Sequence, residues 1–271
     1  METDDLSRRE KLGEKIRLEQ YTRREFRESL SAGHFKTVII ATGSIEQHLE
    51  HLALPQDIMS STYVAETVAK AMYPDVLVTV PVSVGIAEHH MIFPGTISTK
   101  PGSWLSIIFD CVESFVRHGI TRILILNGHG GNVDPIKGVL QQWQLHLTSV
   151  YGKQLDDGKI KEIDTHTDYT NALLGRHSNG LDLRFNSYWD FIPEDLADSI
   201  LEVGQYPGHA GEFETSFAME AFPENVRANA ISKNKDAEAQ AASAEKGRMF
   251  IDKAVEGTMD LIREMLDKAE L

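Results

Sequence analysis

Short apolar runs alternate along the chain with stretches whose apolar residues recur at helical spacing. Runs rich in Val and Ile occupy residues 37–41, 76–84 and 120–126. Such runs are typical of strands buried on both faces of a parallel sheet. The helical spacing predicts helices at about residues 58–73, 101–118 and 133–150. Strands therefore alternate with helices, which predicts an α/β layered fold with right-handed crossovers.

The remaining segments extend the same pattern. We expect a fourth strand near 181–189, a helix over about 212–222 that Pro223 ends, and a long C-terminal helix over 237–271. The first 30 residues carry eight acidic and eight basic side chains, which predicts a solvated N-terminal helical arm over 1–30. Because the chain has no internal repeat and no break in composition, residues 1–271 are predicted to form a single domain.

Composition narrows the class of partner. The 271 residues include 27 basic and 41 acidic side chains, which gives a net charge of −14. This balance argues against nucleic acid and anionic membranes, because binding to both rests on clusters of Lys and Arg. Cys111 is the single cysteine, so no internal disulfide can form. Neither a signal peptide nor a run of roughly 20 apolar residues is evident. We expect a cytoplasmic protein that binds a small molecule.

Unusual polar segments follow the predicted strands. These segments are residues 43–51, 85–90 and 127–132, with a further one at 208–215 before the late helix. The carboxyl ends of parallel strands share one edge of a sheet, which is where open α/β folds bind ligands. All eleven histidines fall between His34 and His209. The sequence therefore predicts a histidine-rich site at this edge.

Each candidate in these segments also has a structural explanation. Asp57 stands just before a predicted helix, where an N-cap role would explain it. Glu46 and His48 are two residues apart and project to the same side of an extended segment, which suits two ligands or a solvent-facing edge. The glycine-rich segment 128–132 could surround a phosphate, but it lacks the Lys of a P-loop.

Taken together, the candidates predict a metal centre. Three histidines and three carboxylates follow different strands, and no thiolate accompanies them. Such a ligand set favours Zn, Mn, Fe or Co. An Asp that bridges Glu and His ligands can hold two ions roughly 3.5–4 Å apart. The expected chemistry is hydrolysis or a related addition to a carbonyl group.

Several motifs resemble those of the creatininase family of metal-dependent hydrolases, over about residues 36–225. The matching segments are Gly43–His48 with Asp57, Phe93–Thr96, Asn127–Asn132, Ser187–Asp190, and His209–Ser216. The resemblance implies a three-layer α/β fold with a central, mostly parallel sheet flanked by helices. It also implies a homo-oligomer, which in many members is a hexamer.

The resemblance also assigns residue roles. It implies one or two divalent transition metal ions, Zn, Mn or Fe, held by Glu46, His48, Asp57 and His129, with Asp57 as the bridge. His209 is the expected proton shuttle, and Glu214 is a further metal ligand or a catalytic carboxylate that orients the reacting groups.

The departures from the family pattern concern the substrate. Creatininase proper carries an aromatic residue and a metal-binding carboxylate where this chain has Gly130 and Gly131, and a loop Trp where it has Gln205. The family's Gly-Pro-His is here Leu49-Glu50-His51, and a common Ser is Ala87. These changes predict a wider site and argue against creatinine as the substrate.

The polar residues around the ligands suit a small, uncharged, hydroxyl-rich substrate. The predicted substrate-binding residues are His51, Glu88, His90, Asn132 and Trp189. An alternative is that they support the ligand imidazoles. We favour hydrolysis of a carbon–carbon bond in a polyol-derived cyclic ketone such as 3-dehydro-scyllo-inosose, which would belong to inositol catabolism.

Three other functions remain open. The first is an amidohydrolase that cleaves the C–N bond of a cyclic amide or formamide. The second is a sugar isomerase that uses the same ligand types. The third is an inactive, ligand-binding member of the family, suggested by the missing carboxylate at Gly131.

Overall fold

A four-stranded parallel sheet lies at the centre of the chain. In the computed structural model, which describes residues 15–151, 181–231 and 237–267, the strands are β1 (Thr37–Thr42), β2 (Val76–Val78), β3 (Arg122–Asn127) and β4 (Asp182–Ser187). Their order is β2-β1-β3-β4, and every neighbouring pair is parallel. The register pairs Thr42 with Asn127 and Asn127 with Ser187. Three strand ends therefore lie side by side at one edge.

Helices cover both faces of this sheet. They are α1 (Arg23–Ser31), α2 (Gln56–Ala71), α3 (Pro101–Arg117), α4 (Val133–Lys137), α5 (Leu140–Tyr151), α6 (Glu194–Ile200), α7 (Glu212–Ala221), α8 (Ala228–Ile231), α9 (Ala237–Gln240) and α10 (Ala244–Asp267). Short 3-10 turns occur at Leu18–Gln20, Glu88–His90, Gly130–Asn132, Tyr188–Phe191 and Pro223–Asn225. Within the described ranges, no helix has the length and apolar character needed to cross a membrane.

Alternate residues of each strand face opposite layers. Ile39 of β1 packs in a cluster with residues of α2, α7 and α10. The next residue, Ile40, packs in a second cluster with residues of α3 and α5. This alternation is that of a strand buried on both faces. The three layers confirm the predicted α/β fold class.

Some predicted elements are shorter than expected. The apolar run 76–84 contributes only Val76–Val78 to the sheet, because Pro81 has no N–H for the ladder. Val82 then pairs with Thr42 as an isolated bridge. The helix predicted at 133–150 divides at Gly138, a residue with low helix propensity.

The C-terminal helix is also divided. Residues 237–240 form the single turn α9, and α10 begins after Ser243. The hydroxyl of Ser243 accepts a hydrogen bond from the Lys246 N–H at 3.3 Å. Such a cap favours a new helix start. The end of the predicted helix, 268–271, lies outside the described residues.

The N-terminal arm is more closely packed than its charge pattern predicts. Ile16 is 4% exposed and lies in the core, and its carbonyl accepts a hydrogen bond from Val78 N–H at 2.8 Å. Phe26 stacks on the buried Phe35, with ring centroids 5.6 Å apart. A few apolar residues thus attach the arm to the core, while Ile16 is the one buried residue of the described range 15–31 and α1 contains none. Residues 1–14 lie outside the described part.

Candidate metal centre

The site begins where α2 packs against the ends of β1 and β3. Gly43 follows β1 and Gly128 follows β3. A Cβ at Gly43 would overlap the backbone of Ile58, and a Cβ at Gly128 would overlap the carbonyl oxygen of Asp57. Because both positions are glycines, the first turn of α2 reaches the strand ends, and Asp57 enters the site.

Asp57 lies between two histidines that come from different strand ends. Its Oδ1 atom is 3.0 Å from His48 Nε2, and its Oδ2 atom is 3.0 Å from His129 Nδ1. The N-cap of α2 is Pro55, and Asp57 belongs to the first turn. The N-cap interpretation of Asp57 is therefore wrong.

Two further carboxylates complete the cluster. Glu46 Oε1 lies 3.4 Å from His129 Nδ1, and Glu214 Oε2 lies 3.6 Å from His48 Nε2. Glu214 comes from the first turn of α7, where its Oε2 accepts a hydrogen bond from Ala210 N–H at 2.5 Å. The cluster thus contains two three-residue sets that share Asp57, each with ligand atoms within 4.8 Å of one another: Glu46, Asp57 and His129, and His48, Asp57 and Glu214.

The donor atoms of the cluster fit divalent cations. Glu46 Oε2 is buried in the described part of the protein without a hydrogen-bond partner. The buried His48 Nε2 and Asp57 Oδ2 atoms each lie 3.0 Å from an oppositely charged atom but lack hydrogen-bond geometry there. Leaving such atoms unpaired costs about 1–3 kcal/mol each. Nitrogen and carboxylate oxygen atoms that converge in this way are ligands for zinc and manganese. The residues present therefore fit a binuclear metal centre.

The other ring nitrogens of the two histidines are held by backbone carbonyls. His48 Nδ1 lies 3.2 Å from the carbonyl oxygen of Glu46, and His129 Nε2 lies 2.9 Å from that of Ile86. Each of these nitrogens donates its hydrogen to a carbonyl oxygen, so the opposite nitrogen, which faces the carboxylates, is the one that could bind an ion after losing its proton. Both histidines are therefore oriented as metal ligands.

Electrostatics also favour bound cations. Burial alone would lower the pKa of His48, but the Asp57, Glu214 and Glu46 carboxylates outweigh it and raise the pKa to about 9. The same balance, with Asp57 and Glu46 as neighbours, raises the pKa of His129 to about 10. Burial and nearby carboxylates raise the pKa of Glu214 to about 7, while His48 opposes this shift. Three buried carboxylates thus attract positive charge to this point.

His209 lies at the accessible side of the cluster. Its side chain is 32% exposed, and its Nδ1 atom is 3.7 Å from Glu46 Oε1. Burial, followed by the positive charge of His48 and His90, lowers the pKa of His209 to about 3. The preceding Gly208 and the following Ala210 have φ angles of 67° and 51°, a left-handed turn that glycine adopts without strain. This turn brings a neutral imidazole to the centre.

The five predicted substrate-binding residues differ in their positions. His90 Nε2 is 3.8 Å from Glu46 Oε1, and Glu88 is exposed in the same turn. Trp189 packs partly buried against the apolar core, with its ring centroid 5.1 Å from that of Tyr188. Of these three, His90 is the one next to a candidate metal ligand.

The other two, His51 and Asn132, are fully buried. His51 Nε2 lies 2.9 Å from the hydroxyl of Thr215. The Asn132 amide accepts a hydrogen bond from Ile86 N–H at 3.0 Å and donates to the Gly43 carbonyl at 3.2 Å. These contacts connect the site loops, so both residues are positioned to orient the site rather than to contact a substrate directly.

The two glycines of the third loop differ in the space around them. A Cβ at Gly130 would meet nothing within 4 Å, whereas a Cβ at Gly131 would overlap the Ile86 carbonyl oxygen, lie 2.5 Å from His129 Nε2 and lie 3.1 Å from His89 Cε1. Open space thus surrounds Gly130, where a wider site stays a prediction, whereas the Ile86 carbonyl, His129 and His89 leave no added space at Gly131.

Gln47 belongs to the site and was not predicted from the sequence. Its Nε2 atom lies 2.9 Å from His90 Nδ1 and 2.9 Å from His209 Nε2. The alternation that places Glu46 and His48 on one side predicts that Gln47 faces away. The sequence signal that could have identified Gln47 is its position between the candidate ligands Glu46 and His48.

The comparison with protein families agrees with this geometry. The family model described as creatininase, creatinine amidohydrolase, matches residues 19–262. The chain belongs to the creatininase family. Members of this family are metal-dependent hydrolases, and the ligand cluster lies within the matched region.

Individual creatininase-family relatives differ in activity. The chain is 23% identical to the creatinine amidohydrolase of Pseudomonas putida over 277 residues, which cover 90% of this chain and 95% of that enzyme. It is 28% identical to the 3-dehydro-scyllo-inosose hydrolase of Thermotoga maritima over 192 residues, which cover 69% of this chain but 50% of that hydrolase.

Solved creatininase structures share the fold. A structure described as the manganese form is 22% identical, with a TM-score of 0.73 over 92% of this chain and 98% of that one. A mutant creatininase described as the Zn–Zn type covers the same shares, with a TM-score of 0.70. The creatininase fold therefore extends over nearly the whole chain.

Proposed function

We propose that this creatininase-family hydrolase binds two divalent ions through Glu46, His48, Asp57, His129 and Glu214, and that it cleaves a carbonyl-activated bond in a small cyclic metabolite. The observation that carries the proposal is the position of Asp57, whose two carboxylate oxygens each lie 3.0 Å from a different histidine. When bound, zinc or manganese ions polarise a carbonyl group and favour the deprotonation of water near neutral pH.

The protein's own residues orient the reaction. His51 and Asn132 hold the loops that carry the ligands. His209 is the group that acts on the reacting atoms, because it combines partial exposure with a position 3.7 Å from Glu46 Oε1. The sequence motif indicates proton transfer as its role, to which such groups contribute ~10²–10⁴ in rate. His90 and Glu88 lie in the neighbouring turn and are the candidate substrate contacts.

For the substrate we favour a polyol-derived cyclic ketone. Support comes from the imidazole and carboxylate groups of the 88–90 turn, which can hydrogen-bond several hydroxyls, and from the likeness to an inosose hydrolase. The second candidate is a cyclic amide or formamide, which the longer likeness to creatinine amidohydrolase favours. Gly130, which faces open space, replaces a larger group of creatininase proper, so creatinine is not the substrate that we expect.

Turnover of three compounds separates these candidates. Zinc- or manganese-loaded protein is incubated in parallel with an oxidised inositol, creatinine and a formamidopyrimidine, and the products are identified by mass spectrometry. We expect conversion of the oxidised inositol with addition of water. Efficient creatinine hydrolysis, or activity on the formamidopyrimidine alone, contradicts the substrate choice. A product of unchanged mass indicates isomerisation instead.

Elemental analysis tests the metal centre independently of any substrate. Protein purified without chelator should contain about two transition-metal ions per chain. Protein that neither retains nor takes up metal would support an inactive, ligand-binding member of the family. A homo-oligomer, hexameric as in many members, and a cytoplasmic location remain predictions for this chain.

A further inference from the structure

The side-chain amide of Gln47 has a defined orientation. Its Oε1 atom accepts a hydrogen bond from the Leu49 backbone N–H at 3.0 Å. A backbone N–H can only donate, so the oxygen of the amide must face Leu49. The NH₂ group therefore faces the other way, towards His90 and His209.

Both hydrogens of this NH₂ group are used. Gln47 Nε2 lies 2.9 Å from His90 Nδ1 and 2.9 Å from His209 Nε2. An amide nitrogen only donates, so each of these ring nitrogens accepts and carries no hydrogen. A neutral imidazole then carries its hydrogen on the opposite nitrogen, which is Nε2 in His90 and Nδ1 in His209.

These two N–H groups point to the same part of the site. His90 Nε2 lies 3.8 Å and His209 Nδ1 3.7 Å from Glu46 Oε1. Both distances are longer than that of an N–H···O hydrogen bond. Glu46 therefore does not engage either N–H group, and both can donate a hydrogen bond to a substrate. The two rings are stacked, with centroids 4.4 Å apart, which keeps the donors on neighbouring positions.

We propose that Gln47 is a positioning residue that presents His90 and His209 to the substrate as a pair of neutral N–H donors. The pair suits a substrate oxygen with lone pairs, such as a carbonyl, an oxyanion or a hydroxyl, and disfavours an ammonium or guanidinium group. The catalytic meaning of the pair rests on the proposed hydrolase function, but the tautomers do not.

The arrangement also constrains His209 as a proton carrier. Its Nε2 lone pair is engaged by Gln47, so a proton can bind there only if that hydrogen bond breaks. Reversing the Gln47 amide would place its NH₂ group against the Leu49 N–H, with two donors facing each other. In the resting site His209 therefore donates from Nδ1, and transition-state charge on a substrate oxygen is what such a donor stabilises.

Nitrogen NMR of the zinc-loaded protein tests the tautomers directly. Two-bond ¹H–¹⁵N correlation spectra distinguish Nδ1–H from Nε2–H imidazoles, and H90Q and H209Q spectra assign the two rings. We expect Nε2–H for His90 and Nδ1–H for His209. The opposite tautomer at either ring, or rapid exchange between tautomers, would overturn the proposal.

Variants of Gln47 test its part in this. Q47E places an acceptor between the rings, so both tautomers should switch. Q47M removes both donors, so the rings should exchange between tautomers. The matched control for Q47E is Q144E. The Gln144 amide also donates a hydrogen bond, to the Leu181 carbonyl oxygen at 3.4 Å, but it is no part of the site. It should leave the spectra unchanged. If the tautomers of His90 and His209 were unchanged in folded Q47E and Q47M, Gln47 would not be the residue that positions them.

Kinetics separates this inference from the proposed function. We expect kcat of Q47E to fall about 10–100-fold with wild-type zinc content, a size in keeping with the loss of an aligned donor, while Q144E keeps wild-type kcat. Switched tautomers with unchanged turnover would support the positioning role and contradict the action of His209 in catalysis. Lost turnover with unchanged tautomers would contradict the positioning role.

Discussion

The carbonyl oxygen of Ile86 occupies the place that a Cβ of residue 131 would need. The same oxygen accepts the hydrogen bond of His129 Nε2 at 2.9 Å. A glycine at position 131 therefore leaves the Ile86 carbonyl free to orient the candidate metal ligand His129. Its lack of a side chain is a requirement of the site as well as a departure from the family pattern.

Replacing this glycine should weaken metal binding. The Cβ of G131A would overlap both the Ile86 carbonyl oxygen and His129 Nε2. His129 would be displaced from the partner that orients it, and metal affinity should fall about 10–100-fold. Competition with a chromogenic chelator measures this. The control is G130A, since a Cβ at Gly130 meets nothing within 4 Å. Equal affinities of the two variants would contradict this account of Gly131.

The shared carboxylate predicts different metal stoichiometries for two variants. Asp57 belongs to both ligand sets, whereas Glu214 belongs to one. Elemental analysis after gel filtration should find about two ions per chain in the wild type, about one in E214Q and close to none in D57A. If D57A retained both ions, Asp57 would not be the bridge.

His209 should contribute to turnover without holding a metal. H209A should lower kcat by about 10²–10⁴ while metal content remains that of the wild type. Steady-state kinetics and elemental analysis of the same preparation measure the two effects. Loss of metal in H209A would instead assign His209 as a ligand.

A second substitution separates two roles of this residue. The amide of H209N can replace an N–H donor at the position of Nδ1 but cannot carry a proton. If His209 acts as a donor, H209N should recover at least about tenfold of the rate lost in H209A, within the size of effect of an oxyanion donor. Equal rates of H209N and H209A would favour proton transfer.

The ion pair between Lys246 and Glu212 should matter for stability. Glu212 is 2% exposed, and Lys246 Nζ contacts its Oε1 at 2.5 Å. K246M leaves a buried carboxylate without its cation and should lower the free energy of unfolding by about 3 kcal/mol. Urea unfolding measures it. K253M removes an exposed pair with Glu256 and should change stability by less than about 0.5 kcal/mol; similar losses in both variants would count against the burial argument.

The sequence predicted the sheet well because β1, β2 and β3 are buried on both faces. Residues such as Ile39 and Ile40 pack into opposite layers, so the run is continuously apolar and cannot be confused with an amphipathic helix. The apolar pattern does not predict where a strand ends if a single residue interrupts the hydrogen bonds between strands. Pro81 cannot donate a hydrogen bond, and the regular strand ends before it although the apolar run continues.

The predicted family and its metal-dependent hydrolase chemistry were confirmed, whereas the roles of the individual site residues stay predictions. Position after a strand identifies Glu46 and His129 as candidates, because parallel strand ends meet. It does not tell which polar residues face the substrate. Asn132 is buried and hydrogen-bonds to two loops and to the end of β3, and Gln47 turns towards two histidines. Both depend on tertiary contacts that no periodicity encodes.

The ligands on either side of Asp57 come from distant parts of the chain, from Glu46 to Glu214. An unfolded chain cannot bring these residues together without a large loss of conformational freedom. Ions held by the proposed ligands would therefore bind the folded chain and act as reversible cross-links between β1, β3, α2 and α7. The melting temperature should therefore rise with the free metal concentration and fall on chelation. Metal supply would then set the lifetime of the folded protein as well as its turnover.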